Sequence, residues 1–149
     1  MKLKRIVFVM IFFLNLFSIN VLFAEDKSND QFLELSAKLD AIAYNGFIGN
    51  KIDQAAWTRW LESNGPIIKS VLSEMPKTWS IRITPLITRE ESLDPSKKAA
   101  QRGTARAKSV LEALRKAGID TTQIKVSESY SLHDKADKIV FFLEDPDGC

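Results

Sequence analysis

Arg102 and Arg106 stand four residues apart, with Lys98 one turn further back, in the run KKAAQRGTARAKSVLEAL. On a helix that spacing sets three cations along one side. A guanidinium in such a place can fork onto a carboxylate through two parallel hydrogen bonds. Glu90, Glu91 and Asp94 lie upstream. They can neutralise the cations or, facing a ligand, receive an ammonium. An exposed ion pair of this kind contributes only about 0–1 kcal/mol, so the stripe fits a solvated helix face as well as a ligand anchor. Other chemistry is sparse. His133 is the sole histidine, in a polar connection with no Ser or Cys nucleophile at an informative spacing. No zinc spacing, phosphate loop or calcium loop occurs. Nothing in the positions of Glu90, Glu91 and Glu112 sets two carboxylates face to face for glycoside cleavage. The residue types therefore set out no catalytic centre and call for no cofactor or metal, which argues against an enzyme.

The elements that must position these residues follow from periodicity. Phe32, Leu35, Leu39 and Ile42 recur at helical spacing, which predicts a short amphipathic helix. AIAYNGFIGN mixes small, aromatic and β-branched residues and predicts a strand over Ala43–Ile48. Asp53 is placed to cap a helix whose Ala56, Trp57, Trp60 and Leu61 share a face. Two tryptophans three apart suggest a sugar-stacking platform, but on an apolar face they serve more simply as core. Asn64-Gly65-Pro66 should break or kink that helix, with Ile67, Ile68, Val71, Leu72 and Met75 continuing the stripe up to Pro76.

WSIRIT, residues 79–84, alternates and predicts a half-buried strand closed by Pro85. ITREESLD reads as a charged loop. Asp94-Pro95 then opens a helix expected to run to about Ala117, with Gly118 just beyond it. On that helix Gly103, Ala107, Val110, Leu111 and Leu114 form the buried stripe, and Arg106 borders it. TTQIKVSESYS predicts a third strand and KIVFFL a last, apolar one. The order, βαβαββ, predicts an α/β fold, an α+β sandwich in which a mixed sheet carries its helices on one face.

The first segment, MKLKRIVFVMIFFLNLFSINVLFAED, puts Lys2, Lys4 and Arg5 before an apolar run from Ile6 to Phe23 and switches to acids after Ala24. It reads as a secretory signal peptide over residues 1–24, with an inner-membrane anchor through residues 6–23 as the alternative. Residues 25–40 then form a flexible leader and short helix, 41–145 the domain and 146–149 a tail. Without residues 1–24 the 21 basic and 19 acidic residues become 18 and 19, and the formal charge moves from +2 to −1. A net charge near zero gives no reason to expect nucleic acid as a partner. Cys149, the sole cysteine and last residue, has no internal partner; it is either incidental or a link between copies.

The helix and its neighbours resemble the OmpA-like periplasmic domain, the peptidoglycan-associating module of outer-membrane anchors, peptidoglycan-associated lipoproteins and flagellar stator proteins. That family carries N-x-x-L-S-x-x-R-A-x-x-V-x-x-x-L followed by G-I. Here Arg106, Ala107, Val110 and Leu114 fall on R, A, V and L, and Gly118-Ile119 on G-I. ADKIVFFL falls at the family's last strand, so the resemblance spans about residues 41 to 143. It implies a cell-envelope protein in the periplasm that binds the diaminopimelate of the peptide stem, the arginine taking the carboxylate and an aspartate the amine. Arg106 stands at the arginine. The aspartate is absent: spacing back from Arg106 reaches Glu91, with Glu90 beside it, whereas following the strand forward reaches Thr88. Ala99, Arg102 and Gly103 stand near the family's Asn, Leu and Ser. The expected ligand set is thus Arg106 with Glu91, then Glu90 or Thr88. The competing expectation is a copy that has lost the wall site and serves as a structural or protein-interaction subunit of a periplasmic assembly, a homo-oligomer included.

Overall fold

The computed structural model describes residues 29–134 and 138–146. The chain forms two compact units, Met1–Glu34 and Leu35–Cys149. Of the first, residues 29–34 are described, and they are helical. The expected signal segment, much of the leader and Cys149 lie outside the described residues. Among the described residues no helix is long and apolar enough to cross a membrane. The second unit starts in helical residues 35–38 and contains the buried apolar side chains found among the described residues, from Leu35 to Leu143.

Its centre is β4 (Ser80–Ile87). The short β1 (Ile42–Ala43) pairs antiparallel with β7 (Lys138–Glu144), β7 pairs antiparallel with β4, and β4 pairs parallel with β5 (Ile124–Val126) and β6 (Ser131–Leu132). Ile81, Ile83 and Pro85 stand opposite Leu143, Phe141 and Ile139, and this face of the sheet is buried. Both long helices lie on it. The first, α1 (Gln54–Glu74), stacks Trp60 on Phe141 at 5.5 Å and 16°, and Trp57 stacks on Trp60 at 5.2 Å. The tryptophans are core residues, as their spacing suggests. The last helix, α3 (Lys98–Lys116), buries Gly103, Ala107, Val110 and Leu114 against β4. The predicted α/β class, mixed sheet and one-sided helices are the observed architecture.

Four local expectations are corrected. Residues 43–48 are not one strand: β1 ends at Ala43, a 3₁₀ turn covers Tyr44–Gly46, and β2 (Phe47–Ile48) forms a hairpin with β3 (Lys51–Ile52). The Tyr44 hydroxyl donates to the Leu86 carbonyl at 2.9 Å and Asp53 N–H to the Gly46 carbonyl at 2.9 Å, and these bonds bend the run. Asn64-Gly65-Pro66 does not interrupt α1, which runs unbroken from its Asp53 cap. Asn64 Nδ2 donates to the Trp60 carbonyl one turn back, at 3.0 Å, while the carbonyl that Pro66 leaves without its helical donor is that of Glu62.

The charged stretch after β4 is not a loop throughout. It contains the helical turn α2 (Arg89–Leu93), and α3 begins at Lys98 and not at Pro95, because Asp94 folds back onto Ser96 N and Oγ at 2.9 and 2.6 Å and Lys97 takes a left-handed φ of 51°. The Ser96 hydroxyl, followed by its amide, holds the Asp94 carboxyl below the usual carboxylate range. Finally, Pro85 does not end β4. β5 pairs with residues 81–83 and β6 with residues 86–87, so Pro85 falls in the gap between them, where a missing N–H costs no ladder bond.

The sheet's other face carries Arg82, whose Nε donates to Glu144 Oε2 at 2.6 Å; Ser80 Oγ donates to the same oxygen at 3.0 Å. These bonds, that from Arg82 foremost, hold Glu144 below the usual carboxylate range. A depressed carboxyl stabilises the folded state fully above its unfolded pKa and loses that contribution as the pH falls through its folded value. The pair is 31% and 43% exposed, so solvent limits the effect to about 1 kcal/mol at most. In urea titrations from pH 7 downward, wild type should start slightly more stable than Glu144→Gln and converge with it below the usual carboxylate range. Parallel curves would show that the contact contributes nothing.

A Cβ on Gly103 would sit 2.7 Å from Pro85 Cβ, a ring atom that cannot rotate away. Overpacking of this sort costs about 1–3 kcal/mol, offset by about 1 kcal/mol of helix propensity gained over glycine. Gly103→Ala is expected to lower the unfolding free energy by up to about 2 kcal/mol, the clash outweighing the propensity gain, read from the urea midpoint at constant slope. A variant as stable as wild type would mean that α3 does not press on β4 there.

Candidate functional site: an arginine held on two aromatic rings

Arg106 lies on α3 one turn beyond Gly103, at the edge of the buried stripe, and is half-buried. Its guanidinium carbon lies 4.4 Å from the centroid of the Tyr44 ring and 5.6 Å from that of Phe47. The two rings meet edge to face at 6.2 Å. Arg106 Nε donates to the Gly49 carbonyl at 3.0 Å. That carbonyl is presented by the two-residue hairpin turn Gly49-Asn50, where Gly49 has φ 65° and the next residue does not follow it into the left-handed region. Glycine at the first turn position suits this geometry. Ser109 Oγ accepts from Ile52 N–H at 3.3 Å and ties the hairpin to α3 a second time.

The guanidinium is thereby oriented with Nε committed. Neither terminal nitrogen has a hydrogen bond or ion pair with a described residue. No buried side-chain polar atom among the described residues lacks a partner, so these two nitrogens face solvent. Chemically this is a preset fork for a planar anion, with its stacking surface supplied by aromatic rings.

The residues expected to complete the ligand set, Thr88, Glu90 and Glu91, belong to the capped turn α2. Thr88 is the N-cap of α2, and Glu91 is the reciprocal member of a capping box: Thr88 Oγ1 accepts from Glu91 N–H at 3.1 Å, while Glu91 Oε2 accepts from Thr88 N–H at 2.9 Å and Thr88 Oγ1 at 3.1 Å. One Glu91 oxygen is therefore occupied by the local turn. Glu90, in the same turn, is exposed. Neither Glu90 nor Glu91 forms an ion pair with Arg106. Arg102 is exposed, one turn before Arg106. Among the described residues no group of three His, Cys, Asp or Glu side chains could hold a metal. Tyr44, Phe47 and the Gly49 carbonyl were missed as neighbours of Arg106. The signal available was the aromatic pair in YNGF directly before the hairpin dipeptide Gly49-Asn50.

No protein-family model matches the chain, and no curated protein matches it in sequence. Solved structures do resemble it. The similarity is to periplasmic domains of MotB. The periplasmic domain of Helicobacter pylori MotB (residues 97–256) superposes with a TM-score of 0.49 at 17% identity, covering 72% of this chain and 80% of that one. The C-terminal domain of the same protein (residues 125–256) gives 0.47 at 16%, covering 70% and 84%. A periplasmic domain of MotB (residues 64–256) gives 0.47 at 18%, covering 74% and 60%. At such identities and scores no residue role and no ligand passes from those proteins to this chain.

The capping box makes a local claim that can be checked. Thr88→Ala should remove about 1 kcal/mol of stability and speed amide exchange through residues 89–93 while leaving α3 protected. Unchanged exchange in that turn would mean that the cap does not hold it.

Proposed function

We propose that residues 41–145 form an exported, non-catalytic domain of the OmpA-like type that associates with peptidoglycan in the periplasm. Arg106 receives the stem-peptide carboxylate, and an acid of the α2 turn, Glu91 or Glu90, receives the ammonium. The observation that carries this reading is the state of Arg106: Nε is fixed to the Gly49 carbonyl and the plane is stacked on Tyr44, while neither terminal nitrogen has a partner among the described residues. A purely solvated arginine would have no reason to be oriented by three separate groups. Preorganisation of this kind lowers the entropy lost on binding. Of the two acids, Glu90 has no hydrogen bond to surrender, whereas Glu91 would have to serve a ligand with the oxygen its capping box leaves open. Residues 1–24 are read as the export signal, removed after Ala24.

A second reading rests on the Glu91 capping box and the absence of any acid on Arg106. In it Arg106 is a clamp between hairpin and helix, and the domain serves as a structural or protein-interaction subunit. Co-sedimentation of residues 25–149 with purified diaminopimelate-type peptidoglycan distinguishes the two. Retention should fall at least about tenfold in Arg106→Ala, the scale for losing a charge-assisted pair of about 1.5–3 kcal/mol. Arg106→Lys should rescue it only partly, since an ammonium cannot fork. No retention of wild type, or equal retention of Arg106→Ala, would leave the clamp as the role of this residue.

A further inference from the structure

Helix α3 carries six basic side chains, Lys98, Arg102, Arg106, Lys108, Arg115 and Lys116, against one acid, Glu112. Outside it, residues 25–149 hold 12 basic and 18 acidic side chains, so positive charge is segregated onto a single element. Lys98, Arg102 and Lys108 are exposed, and none of them forms an ion pair within the described residues. The placement of Lys98 works against the helix: the first turn holds no acid, and Lys97 and Lys98 stand where the macrodipole is already positive, a disposition that costs stability. Folding does not explain that choice.

Two large apolar side chains flank this basic stretch. Leu93, 75% exposed, ends α2 immediately before the Asp94 turn that leads into α3. Ile48, 72% exposed, stands on the hairpin fastened to α3 at Arg106 and Ser109, and its cross-strand partner Lys51 is exposed as well. In the hairpin Phe47 and Ile52 turn to the interior side, and Ile48 with Lys51 turn outward. Cations along a helix with exposed aliphatic side chains at its margins complement a surface that is anionic above and hydrocarbon beneath. A soluble polyanion or a glycan would use the charges and leave Ile48 and Leu93 in water.

We propose that this face docks on a membrane surface rich in anionic lipid, with Lys98, Arg102 and Lys51 over the headgroups and Ile48 and Leu93 entering the acyl boundary. Each basic residue near such a surface raises affinity about fivefold. Residues 25–149, which retain the whole described core, would be sedimented with vesicles of phosphatidylglycerol and phosphatidylcholine, with phosphatidylcholine alone, and titrated with long-chain polyphosphate. Binding is expected to the anionic vesicles only and to weaken as salt rises.

Lys98→Glu with Arg102→Glu should lower partitioning at least about twentyfold. Ile48→Ser with Leu93→Ser should lower it several-fold with the salt dependence unchanged. All four side chains are exposed, so circular dichroism should show the fold intact. No binding to anionic vesicles, binding that the serine variant leaves unaltered, or polyphosphate binding as tight as that to vesicles would each overturn the proposal. Arg106 ties the hairpin that carries Ile48 to α3, so the charge-reversal effect is the one to read in an Arg106→Ala background, where it should persist.

Discussion

The close crossing of α3 over β4 at Gly103 and Pro85 is the constraint on which the rest of this unit depends. It brings a helix backbone onto a strand with nothing but a pyrrolidine ring between them. Everything near Arg106 is referred to that crossing. Tyr44 reaches the Leu86 carbonyl beside it, the ring then supports the guanidinium one helical turn on, and the guanidinium holds the Gly49 carbonyl. A helix lifted by the width of a methyl group would disturb this chain of contacts at its first link.

The same crossing separates the two roles that α3 performs. Its inner stripe of Gly103, Ala107, Val110 and Leu114 is set by packing, and little choice of residue remains there. Its outer side is free of that demand, and that is where the unbalanced cations collect. Arg106 stands on the border between them: half-buried, partly used by the protein, and partly available. Packing and recognition thus compete for one side chain, and the competition is settled by splitting its nitrogens between a backbone carbonyl and solvent.

Much of this was legible in the sequence because it depends on local periodicity. The 3.6-residue stripe of α3, the Asp53 cap and the apolar run of β7 each declare themselves within about ten residues. The tryptophans of α1 were readable as core for the same reason. What escaped depends on partners distant in the chain. Tyr44 leaves an extended path because its hydroxyl meets Leu86, 42 residues away, and no propensity encodes that bond. Likewise α1 continues through Pro66, where burial of Ile68 and Val71 on either side of the next turn favours continuity over the local breaker. The site was half legible: Arg106 could be found from its place on the stripe, but the aromatic rings beneath it come from another segment. The loop acids were read as ligands when one of them, Glu91, also follows the S/T-x-x-E pattern of a capping box. That pattern is present in TREE, and it commits one Glu91 oxygen to the turn while leaving the other open.

Pro85 has a further consequence for the shape of this sheet. β4 exchanges one parallel neighbour for another at the residue that offers no N–H, and the chain bridges the exchange by an excursion through residues 127–130. The excursion is therefore not spare length. Were it deleted, β5 and β6 would be drawn into one continuous strand beside a backbone position with nothing to donate, and an acceptor would be left unpaired in the middle of the ladder. A single imino acid thus fixes how many strands this edge of the sheet can have.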